Sequence, residues 1–133
     1  MRRIVTIISL FVLPLLIGCV NEEVVEYDLI EGNWLATAGY QDGEPKGDSS
    51  CAASVKGGLE FKDEETVYVE AYETNFEYSL ENSDSGVEIH LAGSELGIYL
   101  SYHIDKVSEN GIGLTSEANV RPEDESCYLE RKE

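Results

Sequence analysis

From Glu31 onward, apolar and polar residues alternate in short runs, with turn formers roughly every 8 to 12 positions. A period of two is what a strand needs when one of its faces is buried. Gly32 to Tyr40 (GNWLATAGY) reads as a first strand, ended by the turn former Asp42-Gly43. Glu44 to Ser50 is a loop, and Cys51 to Lys62 reads as a strand broken or bulged at Gly57-Gly58. Thr66 to Tyr72 alternates cleanly, with Val67, Val69 and Ala71 on one face and Tyr68, Glu70 and Tyr72 on the other. Asn75 to Glu81 aligns Phe76, Tyr78 and Leu80; Val87 to Ala92 aligns Val87, Ile89 and Leu91. Leu96 to Val107 aligns Leu96, Ile98, Leu100, Tyr102 and Ile104. Asn110-Gly111 opens a further strand, and in the terminal CYLERK the residues Cys127, Leu129 and Arg131 share a face. The pattern predicts an all-β fold, an antiparallel up-and-down meander of about eight strands. Such a meander closes as a barrel or folds as a sandwich, because closure removes exposed sheet edges.

The one helical pattern lies at the start. Met1-Arg2-Arg3 is basic, and an apolar run from Ile4 to Gly18 follows. The run is short for a membrane span, which takes roughly 20 residues. It fits a secretory signal with a basic start and an apolar middle. Its end, Leu16-Ile17-Gly18-Cys19, resembles the lipobox of bacterial lipoproteins, which implies acylation of Cys19 and cleavage before it. An ordinary signal peptide or an anchor helix with an incidental cysteine is the alternative. The expected layout is a signal peptide over 1–18, a lipidated Cys19 and tether over 19–29, and a barrel over 30–133. Two acyl chains hold a protein stably at a bilayer where one does not. The membrane is thus an expected partner through Cys19, and a bacterial envelope, outer-membrane location is expected, its leaflet left open. Asn21-Glu22-Glu23 also resembles the acidic export signal of some Bacteroidetes surface lipoproteins.

Three cysteines minus the lipidated one leave Cys51 and Cys127. In an exported chain an even remainder suggests a disulfide; two free buried thiols are the alternative. The formal charge is −18, spread along the chain. No nucleic acid partner is expected, since phosphate binding needs a basic footprint, whereas cationic proteins, cationic small molecules or divalent ions are electrostatically welcome, with solubility alone as the alternative role of the charge.

Gly32-Asn33-Trp34 at the head of the first strand resembles the Gly-x-Trp motif that opens the lipocalin barrel. With the lipobox, the short tether and the length of the meander, the chain is similar to small lipocalin-like lipoproteins of Bacteroidetes. The resemblance implies barrel closure and an arginine from the last strand packed over the tryptophan, here Arg131 over Trp34. The inward set would be Trp34, Phe61, Val67, Val69, Phe76, Tyr78, Ile89, Leu100 and Tyr102. Eight strands enclose an interior that is either filled by side chains or holds one small ligand. For the second case, Trp34, Phe61, Phe76, Tyr78, Leu100 and Tyr102 are the candidate lining of an apolar ligand site.

No catalytic constellation is present: there is no Gly-x-Ser-x-Gly elbow, His-Glu-x-x-His or phosphate loop. His90 and His103 sit at polar-face positions within reach of Glu88 and Asp105, where histidines are ordinarily solvated, so no metal site and no cofactor are expected. Asp63-Glu64-Glu65 and Glu123-Asp124-Glu125 lack the spacing of a calcium loop. Tyr68, Tyr72, Tyr99 and Tyr128 fall on the face opposite the core. Two functions remain open for what is expected to be a monomeric, non-catalytic lipoprotein: binding a small hydrophobic ligand, or docking a cationic protein through an acidic outer face.

Overall fold

The computed structural model describes residues 24–116 and 125–132. Cys19, the lipobox and the signal segment lie outside the described residues. The elements are α1 (Glu26–Leu29), β1 (Asn33–Ala38), β2 (Tyr40–Gln41), β3 (Glu44–Pro45), α2 (Ala53–Lys56), β4 (Leu59–Phe61), β5 (Thr66–Val69), β6 (Thr74–Ser83), β7 (Gly86–Gly93), β8 (Ile98–Ser108), β9 (Gly111–Ser116) and β10 (Ser126–Lys132). Short 3₁₀ turns at Glu70–Tyr72 and Ser94–Leu96 link β5 to β6 and β7 to β8.

Eight strands form a closed antiparallel barrel in the order β1-β10-β9-β8-β7-β6-β5-β4, with β4 returning to β1. The long hairpins β6–β7 and β7–β8 pair over seven residues each, whereas the seam between β1 and β4 pairs Trp34 with Leu59 alone. A barrel closed through so short a seam depends on side chains to brace it. The inward set expected from the alternation is buried throughout, each residue no more than 5 % exposed. β2 and β3 form a separate two-stranded ribbon around Asp42-Gly43.

Four expectations are corrected. The segment from Cys51 is no strand until Leu59: Ala53–Lys56 makes one helical turn that drops Val55 into the core. Leu96 does not share the inward face of β8; it sits in a 3₁₀ turn, 50 % exposed. The strand expected through Tyr72 ends at Val69. The domain begins before residue 30. Val24 and Leu29 belong to the core cluster, so the described part of the expected tether, 24–29, is folded onto the barrel. Alternation over one or two residues carries no signal of this kind, because a single buried leucine in a helical turn reads the same as one in a coil.

Candidate functional site

At one end of the barrel, Trp34 is wholly buried and its indole Nε1 donates to the carbonyl of Leu29 at 2.9 Å. Arg131 comes from the facing position on β10, in register with Trp34, and its guanidinium lies 4.6 Å from the indole ring. The same guanidinium donates to the carbonyls of Asp28, Ile30 and Glu109. These carbonyls lie where α1 ends and the β8–β9 turn begins, so one cation ties the two segments together. Glycine at position 32 has two causes. Its φ is +81°, and a Cβ there would stand 2.5 Å from the Arg131 side chain. The Gly-x-Trp pattern and the terminal arginine are thus one interlocked unit, as the resemblance implied.

The opposite end is covered by the segment 48–57. Cys51 is disulfide-bonded to Cys127 on β10, their Cα atoms 5.6 Å apart. Next to the bridge, the Ser50 and Ser126 amides and the Ser50 hydroxyl interlock the two segments. The Tyr102 hydroxyl accepts from the Ala52 amide at 3.3 Å and donates to Glu125 Oε1 at 2.7 Å. Val55, without exposed surface, completes the cover.

Between these ends the six candidate ligand-lining residues meet as neighbours in one hydrophobic cluster. Trp34 and Tyr102 are 0 % exposed, Phe76 1 %, Phe61 2 %, and Tyr78 and Leu100 5 %. A side chain facing a void wide enough for water would expose area to it. With so little exposed area they pack mainly on one another, while Phe76 and Tyr78 also border clefts that open to the outside. Phe61 and Tyr78 meet edge to face with centroids 4.8 Å apart, and the Tyr78 hydroxyl donates to the Asp63 carbonyl at 2.6 Å. Burial, together with the charges of Glu26, Asp63 and Glu64, pushes the Tyr78 hydroxyl well above its ordinary range. Of the two alternatives for an eight-stranded interior, the structure takes the filled one.

The remaining aromatic and titratable groups lie on the outer face and around the 3₁₀ turns. The 3₁₀ turns flank a shallow cleft lined by Tyr72, Phe76, Glu77, Glu95 and Leu96. Tyr72 stacks on Phe76 at 5.8 Å. Tyr99, 66 % exposed, shares an outer row with Ala92 and Glu77. Tyr68 and Tyr128 are only partly exposed. The β6–β7–β8 register puts Ser79, His90 and Ser101 in one outer row and Glu81, Glu88 and His103 in the next. His90 Nδ1 lies 2.7 Å from Ser101 Oγ, while Nε2 lies 3.2 Å from Glu81 Oε2 and 3.6 Å from Glu88 Oε2. Of the two carboxylates expected near the histidines, Glu88 is there. Asp105 turns away instead and accepts from the Tyr40 hydroxyl at 2.8 Å. Tyr40 lies across Gly113, where an added Cβ would be 2.3 Å from its ring. Glu81 joins the histidine only through strand register, which periodicity along one strand does not reveal.

No protein-family model, curated protein or solved structure matches this chain.

Proposed function

We propose that the chain is a non-catalytic, lipid-anchored envelope lipoprotein, held at Cys19, whose barrel acts as a rigid binding module through its outer surface. The observation that carries this reading is the filled interior. Trp34, Phe61, Leu100 and Tyr102 are each no more than 5 % exposed and belong to one cluster beneath two covered ends, which supports packing over an open ligand chamber. The carrier reading would require Val55 and the disulfide-held cover to move aside. The outer surface supplies what protein recognition uses: exposed Tyr72, Leu96 and Tyr99 among Glu73, Glu77 and Glu95. With a formal charge of −18, the partner of choice is a cationic protein. Small lipoproteins that inhibit lysozyme work in this way, although their characteristic motifs are lacking here.

The test uses the full-length chain in detergent, with lysozyme as a basic probe protein. The expected result is saturable binding that weakens steeply between low salt and about 1 M salt. It should also be lost in a Tyr72→Ala, Tyr99→Ala double variant. Absent or salt-insensitive binding, together with a co-purified hydrophobic molecule seen by native mass spectrometry, would return the function to the barrel interior.

A further inference from the structure

We propose that Glu81, Glu88 and His90 form a binding site for a divalent transition-metal ion of the zinc type on the outer face of the β6–β7–β8 sheet. One donor atom from each side chain falls within 4.8 Å of the other two. A tetrahedral zinc ion with bonds of about 2.0–2.1 Å holds neighbouring donors about 3.3 Å apart. The separations from His90 Nε2, 3.2 Å and 3.6 Å, bracket that spacing, and the two carboxylate oxygens lie within 4.8 Å of each other.

The surroundings lack something positive. Glu81 and Glu88 are directly opposite each other in the antiparallel register, an arrangement that destabilises a sheet when both are charged. Among the described residues neither is paired with a lysine or arginine. His90 Nε2 is shielded from solvent and makes no hydrogen bond, although two carboxylate oxygens lie close by. An imidazole nitrogen shielded from water without a hydrogen bond is costly, and in the Nδ1–H tautomer Nε2 and the two carboxylates would be three acceptors around one point. A bound cation relieves both. On the other side of the ring, Nδ1–H donating to Ser101 Oγ would set the tautomer that aims the Nε2 lone pair at the ion. The nitrogen donor and the small spacing favour a zinc-type ion over calcium, which takes six to eight oxygens at longer range. His103, directly across from Glu88, has an unpartnered Nδ1 of its own and stands next to the site.

Strand geometry holds this trio, since all three residues lie within the paired part of the β6–β7 hairpin. The outer-face positions also keep the barrel core out of the experiment. The tag-free, full-length chain in detergent is titrated with ZnCl₂ and separately with CaCl₂ by calorimetry. One zinc ion per chain is expected, with affinity falling about tenfold or more in His90→Gln and in Glu88→Gln. In Ser101→Ala a loss of about tenfold is expected, as for a residue that orients a metal-bound histidine. Calcium should not compete. Cobalt(II) serves as a spectroscopic check, because visible absorption of a four-coordinate ion would appear in the wild type and vanish in His90→Gln. Far-UV circular dichroism shows that each variant is folded; should His90→Gln fail to fold, Glu81→Gln at an exposed position carries the same expectation. Equal zinc affinity in the folded wild type and variants, no stoichiometric binding, or equal displacement by calcium would each overturn the proposal.

Discussion

Replacing Arg131 with alanine removes a single side chain that braces the barrel at the end where its seam is weakest. The guanidinium over Trp34 contributes about 1 kcal/mol, in the range for a partly desolvated cation–π contact. Its hydrogen bonds to the carbonyls of Asp28 and Glu109 are charge-assisted and are worth roughly 1.5 kcal/mol each; the bond to Ile30, at 3.5 Å, is too long to add much. The sum is about 4 kcal/mol, a large share of the 5–15 kcal/mol typical of a whole domain. Trp34 is the only tryptophan, so its fluorescence reports from the site itself. Urea unfolding followed at that indole should show the midpoint falling at nearly constant slope, because the surface exposed on unfolding hardly changes. Arg131→Lys should lie between, since an ammonium keeps the charge but not the planar fork that reaches separate carbonyls. A double-mutant cycle with Trp34→Phe, followed by circular dichroism, isolates the ring contact. A loss below about 1 kcal/mol in Arg131→Ala would refute the assignment of this residue as the brace.

Two further outcomes follow from the covered end and from the buried hydroxyls. Reducing Cys51–Cys127, or replacing both with serine, should cost up to about 4.5 kcal/mol by the chain-entropy estimate for a 76-residue separation, read as the shift in guanidinium unfolding with and without reductant; hydrogen exchange should then speed up first at Val55. Burial, then the hydrogen bond to Asp105 and its charge, raise the Tyr40 hydroxyl, and burial likewise raises Tyr78. Both groups are held neutral by the folded state, so their contribution is complete below the ordinary tyrosine value of 10 and is lost as pH climbs beyond it. Stability measured from pH 8 upward should therefore fall above about pH 10, with a shallower fall in Tyr40→Phe; an equally steep fall in that variant would contradict the linkage.

The strand faces were legible in the sequence because alternation is a local property. Val67, Val69, Phe76, Tyr78, Ile89, Leu100 and Tyr102 went inward because each apolar position recurs every second residue beside polar neighbours. The pairing of the two cysteines was legible by arithmetic, and Arg131 over Trp34 by resemblance. Other features depend on residues distant in the chain. Leu29 and Val55 sit in short turns whose burial is decided by what the barrel ends require, so they read as tether and as strand. The filled interior was undetermined as well. The same large side chains can line a space or meet across it, and only the barrel's closure and the two covered ends bring them into contact.

Glu81 shows the division most simply. Alone in the sequence it is one acid among 27 Asp and Glu residues. Seven residues of hairpin later it stands opposite Glu88 and beside His90, because register is a property of two strands and not of one. Composition and periodicity determined an acidic, antiparallel meander with an apolar inner face, and closure into a barrel was implied by resemblance. The tertiary structure alone decided that the inner-face side chains are nearly all covered by one another, and that Glu81, Glu88 and His90 meet on the outer face.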